Sequence, residues 1–357
     1  MQTNMTPCHA IVSTPLQYLN VIEATHALNL EIDTLILADS VLDISYYEPL
    51  PLFKRWQSYE LRTYQGEHKG KTRIRLGALA RYYSHRKQSR PTIKRLRNCN
   101  VLLIGNIRKL LHRHMAASIR AKRLIICDDG AASAGLNGHG NVSLNQPPIH
   151  RYCCNVLGLH TGPIPGAELF SAYEAQQESS ENFHLNRYEF LKKIISDTLN
   201  TETGKAWFLG QPVYDIPRPL APFHKYLSYL KNIQANSLSQ YNIAYYAHPR
   251  ETSKTLAAIK EATGWETFPY DGPIELKLAT ASSLPERVFA MCSSAIQTIV
   301  TMFGNRIPVT ILDIPKVFYG TDPSRALHIA SIYRQLRSLA KPPHHFVDAQ
   351  DIEQNMP

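Results

Sequence analysis

The chain has no apolar run long enough to cross a bilayer. Its best stretch, Ala295 to Phe303, is interrupted by Gln297, Thr298 and Thr301, whereas a spanning helix needs about 20 predominantly apolar residues. The opening Met1-Gln-Thr-Asn-Met-Thr-Pro-Cys8 lacks the basic region and apolar block of a secretory leader. Six cysteines, at 8, 99, 127, 153, 154 and 292, show no metal-ligand spacing. A reduced, cytoplasmic chain is the expectation from that pattern. There is no Asp-X-Asp pair, no signature of a nucleic-acid-binding module, no internal repeat and no low-complexity tract. Nucleic acid is therefore disfavoured as a partner.

Acidic residues are also in short supply, 29 against 39 Lys and Arg, for a net charge of +10. The surplus is concentrated between Lys69 and Arg123, where Arg73, Arg75, Arg81, Arg86, Lys87, Arg90, Lys94, Arg95, Arg97, Arg108, Lys109, Arg113, Arg120 and Lys122 lie. Such a half attracts an anionic partner, such as an acidic lipid surface or a charged glycan, or is simply a solvated basic face. At 357 residues, 44% hydrophobic and 19% charged, the chain has the composition of a globular protein with room for two cores.

What is present reads as strands alternating with helices. His9-Ala-Ile-Val-Ser13 is a short apolar run, after which Thr14 caps and Pro15 starts a helix to about Ala27. Thr34–Ala38, Val101–Ile104 and Leu124–Cys127 are buried-type strands, and Asn106 is placed to cap a helix carrying Ile107, Leu110 and Leu111. Residues from about 136 to 200 break the rhythm and are read as the connection between domains. The alternation resumes with strands at 207–209, 243–246, 288–291 and 309–312 and helices near 222–235, 253–262, 294–303 and 324–339. This pattern predicts an α/β protein with two Rossmann-like domains, 1–195 and 196–357, facing a central cleft.

Candidate chemistry lies where strands end, the position at which open parallel sheets bind ligands. Asp128-Asp129-Gly130 sets two carboxylates and a flexible turn after 124–127. One carboxylate there can take a proton from an attacking hydroxyl, the pair can hold a divalent cation, against which stands the missing Asp-X-Asp spacing, or it can simply form a turn that caps the next helix. His248-Pro249-Arg250-Glu251 follows 243–246; Pro249 ends the strand where the imidazole emerges, and Glu251 with Thr252 opens the next helix. The imidazole can serve a departing phosphate or pack at a strand end. Cys292-Ser293-Ser294-Ala295 stands before a helix with no charged residue, an arrangement that suits either anion binding or simple capping. Glu275 in Pro273-Ile274-Glu275 can accept from ribose hydroxyls or complement a helix dipole. Gly210-Gln211-Pro212 forms a loop after 207–209.

These residues resemble the bacterial sialyltransferases, particularly the lipooligosaccharide sialyltransferases of glycosyltransferase family 52 and the related capsular polysialyltransferases. Those proteins carry a D/E-D/E-G motif, an HP motif and a serine motif in this order, matched here by Asp128-Asp129-Gly130, His248-Pro249 and Ser293-Ser294. Ser13-Thr14-Pro15-Leu16-Gln17, Leu209-Gly210-Gln211-Pro212 and Pro273-Ile274-Glu275 also look family-like. The resemblance implies a GT-B fold and a metal-independent, inverting transfer from CMP-sialic acid, without a cofactor, to a cell-surface glycan of lipooligosaccharide or capsule. Asp128 would be the general base, His248 would protonate or stabilise the CMP phosphate, and Ser293, Ser294, Pro249, Glu275 and Gly210 would surround the donor. Ser13, Thr14 and Gln17 would lie on the acceptor side, in a basic domain suited to a glycan or glycolipid acceptor. The expected location is cytoplasmic, peripheral at the inner face of the bacterial membrane through the basic face. A transferase using another CMP-sugar such as CMP-Kdo, and a sugar-nucleotide or glycan-binding protein without turnover, stay open as alternatives.

Overall fold

The computed structural model describes residues 6–38, 44–61, 71–129, 148–172, 182–195, 199–214, 221–315, 318 and 323–348. Two compact units divide the chain, Met1–Phe190 and Leu191–Pro357.

The first unit is built on seven parallel strands: β1 (Thr6–Val12), β2 (Leu30–Ala38), β3 (Gln57–Leu61), β4 (Val101–Ile104), β5 (Arg123–Cys127), β6 (Glu168–Ser171) and β7 (Phe183–Leu185). They lie in the order β3-β2-β1-β4-β5-β6-β7, every pair parallel. Central strands in such a sheet are covered on both faces, so they read as continuous apolar runs rather than alternating ones. β4, Val-Leu-Leu-Ile, is buried throughout. The helices are α1 (Pro15–Ala27), α2 (Lys71–Leu96), α3 (Leu110–Ile119), α4 (Pro148–Val156) and α5 (Glu189–Ile194), the last straddling the division between the units. Ile11, Ile104, Leu111, Met115 and Ile126 form the centre of one core layer between the sheet and α3.

The second unit repeats the topology. Its strands are β8 (Thr201–Leu209), β9 (Asn242–Tyr246), β10 (Glu266–Phe268), β11 (Leu284–Ala290), β12 (Val309–Leu312) and β13 (His345–Val347), ordered β10-β9-β8-β11-β12-β13 and all parallel. Among its described residues the helices are α6 (Phe223–Asn236), α7 (Ser253–Thr263), α8 (Ile274–Ala279), α9 (Ala295–Phe303) and α10 (Pro323–Leu339). Large aromatics fill its core: Phe208 stacks on Tyr245 with ring centroids 5.6 Å apart and meets Trp265 at 5.0 Å. In both units the strand order reverses beside the first strand, between β1 and β4 and between β8 and β11. That reversal opens a crevice at the carboxyl ends of the strands.

Three expectations need correction. The stretch 136–200 is more than a connector, since β6 and β7 within it extend the first sheet. Asn106 does not cap α3, whose N-cap is Lys109; the Asn106 Oδ1 instead accepts from the Arg108 and Lys109 amides at 2.8 and 3.2 Å. Glu251 precedes α7 rather than opening it, and Thr252 is the cap, accepting from the Thr255 amide. Thr14 caps α1 with Pro15 in the first turn, as its sequence dictates.

Candidate active site

Within the first unit the loops after β1, β4 and β5 meet at the switch point. Ser13 follows β1; its amide donates to Gln17 Oε1 at 2.7 Å, and its hydroxyl donates to the Ala38 carbonyl at 2.7 Å and lies 2.6 Å from His112 Nε2. Gln17, fully buried in the first turn of α1, uses its other end to donate from Nε2 to Asp129 Oδ1 at 2.6 Å. Asn106, after β4, donates from Nδ2 to the second Asp129 oxygen. Gly105 must be glycine for this to work: a Cβ there would sit 2.6 Å from Gln17 Cβ, far inside contact distance.

The two acids take different places. Asp128 is 1% exposed; its Oδ2 accepts from the Ala172 amide at 2.6 Å and its backbone carbonyl from Asn20 Nδ2 at 3.1 Å. That ties the end of β5 to the end of β6 and to α1. Asp129 is only half-buried. Burial pushes its carboxyl above the usual range, opposed by the Gln17 hydrogen bond, by Lys109 and Arg108, and by Asn106. Gly130 lies outside the described residues. Gln17 and Asn106 thus aim the Asp129 carboxylate, a role for Asn106 that sequence reasoning missed because an Asn after a strand reads first as a helix cap.

Within the second unit, His248 is half-buried just past β9. Its Nδ1 accepts from the Arg250 amide at 3.2 Å, which leaves the ring proton on Nε2. Burial, with Arg250 adding to it, lowers its pKa to about 4, so near neutrality the ring is an uncharged hydrogen-bond donor rather than a cation. Pro249 and Arg250 beside it are exposed. Glu251 Oε2 accepts from the His248 amide at 2.8 Å, and Oε1 accepts from the Tyr214 and Tyr245 hydroxyls at 2.7 and 2.8 Å.

Gly210, directly after β8, leaves no room for a side chain: a Cβ would lie 2.2 Å from Glu251 Oε2. Ser293 and Ser294 stand between β11 and α9. Ser293 Oγ accepts from the Ala295 amide at 3.3 Å, while the Ser294 side chain makes no capping bond and the first turn of α9 carries no acid. The first turn of that helix therefore brings no negative charge of its own to its positive end. Glu275, in the short helix α8, is 3% exposed, and burial raises its pKa to about 7. Among the described residues no group of three or more His, Cys, Asp or Glu is placed to hold a metal ion, and no helix is long and apolar enough to cross a membrane.

The structure thus joins Ser13, Thr14 and Gln17 to Asp128 and Asp129 in the first unit. In the second it sets Gly210, His248, Pro249 and Ser293-Ser294 at the carboxyl ends of β8, β9 and β11, with Glu275 following β10. This double Rossmann arrangement is the GT-B class of fold. No family model and no curated protein sequence matches the chain. Solved structures do share its fold. An α/β-galactoside α-2,3-sialyltransferase from the luminous marine bacterium Photobacterium phosphoreum is 12% identical with a TM-score of 0.52, covering 98% of this chain and 100% of that one. A putative UDP-N-acetylglucosamine 2-epimerase from Listeria monocytogenes is 9% identical with a TM-score of 0.54, covering 99% and 95%. The UDP complex of MnaA from S. aureus is 11% identical with a TM-score of 0.51, covering 98% and 95%. Transferases and epimerases alike carry this architecture, so the activity has to be argued from the residues.

Proposed function

We propose that the protein is an inverting glycosyltransferase that moves sialic acid from CMP-sialic acid to a hydroxyl of a cell-surface glycan. The observation that carries the reading is the pairing of chemistries at equivalent positions. A held carboxylate, Asp129, sits at the carboxyl end of the first sheet. A neutral Nε2–H imidazole and a helix N-terminus whose first turn carries no acid sit at the carboxyl ends of the second. The first unit serves the acceptor and the second the donor.

In the reaction, the acceptor oxygen attacks the anomeric carbon of the sugar and its proton passes to a carboxylate. The bond from that carbon to the phosphate oxygen breaks on the opposite face, and CMP leaves with the electron pair. The family resemblance implied the base role for Asp128. Its burial and its bond to the Ala172 amide suit bracing of the strand ends, so the role passes in this proposal to Asp129. His248 Nε2 donates to the leaving phosphate, and the Ser293-Ser294 hydroxyls and α9 amides receive the remaining charge. Glu275 takes the ribose hydroxyls, and the Gly210–Val213 loop lines the donor. Helix α2, which carries no acidic residue and exposes Arg86, Lys87, Arg90, Lys94 and Arg95, is the surface for an anionic acceptor or the membrane that presents it.

Incubation with CMP-sialic acid and a panel of galactosides and sialosides, read by mass spectrometry, tests the assignment. A product heavier by one or more sialic acid residues is expected. Turnover of CMP-Kdo alone would move the donor assignment, and CMP binding without any product would leave a sugar-nucleotide-binding protein. Replacing His248 with alanine removes one donor to a charged phosphate, which is worth about 1.5–3 kcal/mol. The expected loss is about tenfold to a hundredfold in the rate of CMP release, with folding retained. Because a single phosphate can be met by imidazole, hydroxyls and helix amides, turnover is expected to survive EDTA. Complete loss in EDTA that magnesium restores would refute that part of the mechanism.

A further inference from the structure

Glu251 is a side chain that the transfer chemistry above does not use, yet it has more partners than the histidine it stands beside. Its two oxygens accept from three donors on two stretches of chain: Tyr214 in the loop after β8, and Tyr245 in β9 together with the amide of His248 just beyond it. Tyr245 continues the network, its hydroxyl 3.1 Å from that of the fully buried Tyr226 in α6. The Glu251 amide in turn donates to the His248 carbonyl at 2.9 Å. The His-Pro turn is thus closed from both sides by one residue. Gly210 leaves vacant the volume that the carboxylate occupies, since any side chain there would meet Glu251 Oε2 and the Tyr245 hydroxyl, at 2.2 and 2.9 Å from its Cβ. A half-buried carboxylate with three donors and a glycine cut to fit it is a built site, and what it holds is the backbone that carries His248.

We propose that Glu251 is the positioning residue of the imidazole. Its carboxylate ties the loop after β8, the end of β9 and the His248 amide into one piece, and so holds His248 Nδ1 under the Arg250 amide and keeps the proton on Nε2. The inference rests on the reading of His248 as the donor to the leaving phosphate. The physical logic is that a hydrogen-bond donor contributes to catalysis only when aimed, and a tautomer is fixed by the bond made at the other ring nitrogen. Three donors are satisfied by a carboxylate, whereas a glutamine offers them one oxygen and turns an amide NH2 toward the rest.

The test observes the ring itself. Histidine-selective nitrogen-15 labelling of the full-length protein, with the His248 signal assigned through His248→Gln, gives the protonation state of each ring nitrogen without any substrate. The wild-type ring is expected as a single Nε2–H tautomer at neutral pH. Glu251→Gln and Gly210→Ala, which attack the same contact from opposite sides, are each expected to give a mixture of tautomers. CMP release is expected to fall about tenfold in both, with the other histidine signals in place. Combining the two should cost little more than either alone, since residues sharing one contact are not additive. Tyr214→Phe deletes a single hydroxyl from a half-exposed side chain and should move the ring signal in the same direction by less, which keeps the question answerable if the other variants fold badly. A pure Nε2–H signal in all three variants would overturn the proposal. A wild-type enzyme inert toward every CMP-sugar would overturn the functional reading instead, leaving the ring measurement to judge the positioning on its own.

Discussion

Asp129→Asn is expected to lower turnover by about a hundredfold or more, the usual weight of a general base, while Asp128→Asn is expected to lose less than about tenfold and to melt at a lower temperature. The two substitutions differ because the carboxylates do. Asp128 lies in the interior with an oxygen on the Ala172 amide; asparagine keeps an acceptor for that amide but brings an unsatisfied NH2 into a buried place, a stability cost of about 1–3 kcal/mol. Asp129 keeps its shape and its Gln17 partner as asparagine but loses the basicity that accepts a proton. The pH dependence follows the same sign. A base works when ionised, and burial raises the Asp129 carboxyl, so the rate should fall as pH drops through a value above the carboxylate norm. Near-normal turnover in Asp129→Asn with a collapse in Asp128→Asn would return the role to the first acid. Initial rates of CMP release across pH, with thermal melts of the same preparations, decide between them.

The ambiguity between adjacent acids shows where sequence reading stops. Consecutive residues at a strand end point to opposite sides, so one of Asp128 and Asp129 had to face inward. Which one depends on register against β6, and β6 was not visible in the sequence. Glu-Leu-Phe-Ser is a four-residue run inside a polar stretch, and the three-residue strands β7, β10 and β13 are equally silent. The central strands, by contrast, are covered on both faces and declare themselves as unbroken apolar runs closed by Gly, Asp or Ser, as Val101–Ile104 and Leu124–Cys127 do. Helix α2 escaped notice for a different reason. Its 26 residues carry basic side chains around much of the circumference and a proline at 91, so neither a clean apolar stripe nor an uninterrupted run announces it.

Motif placement was legible because strand–loop–helix punctuation is local. The connections among motifs were not, because they are tertiary. Nothing in the spacing of Gln17 and Asp129, 112 residues apart, says that one holds the other. Nothing in the spacing of Gly210 and Glu251 says that the glycine exists to leave space for the acid. The structure turns both glycines, 105 and 210, from generic turn residues into statements about a neighbour.

The protein is expected to lose stability steeply as pH falls from about 6.5 to about 4, through His114 in the first unit. His114 lies in α3, 7% exposed, with Nδ1 accepting from the His160 amide at 3.3 Å and 3.4 Å from the Ser118 hydroxyl. The charged and titratable groups facing it, His160 after α4 and Arg86 on α2, add only positive charge. Burial first, then His160 and Arg86, lower its pKa to about 4. Protonation would also set a new Nδ1–H against the His160 amide proton. The unfolded chain, with a histidine near 6.5, therefore binds the proton first between pH 6.5 and 4. Stability is fully present above 6.5 and declines below it, with a slope of up to about 1.4 kcal/mol per pH unit from this residue. A displacement from 6.5 to about 4 amounts to about 3 kcal/mol at 1.36 kcal/mol per unit. His248 contributes with the same sign in the second unit, so the measurement has to be confined to the first. Hydrogen exchange at the β4 and β5 amides does that, reporting opening of the sheet on which α3 packs. In His114→Gln, where the side-chain oxygen still accepts from the His160 amide, the exchange-derived stability of these strands should lose about one proton's worth of pH dependence in that window. His248→Gln should leave the first unit's dependence as it was. An unchanged acid slope in His114→Gln would mean that the buried imidazole is not what limits this unit at low pH.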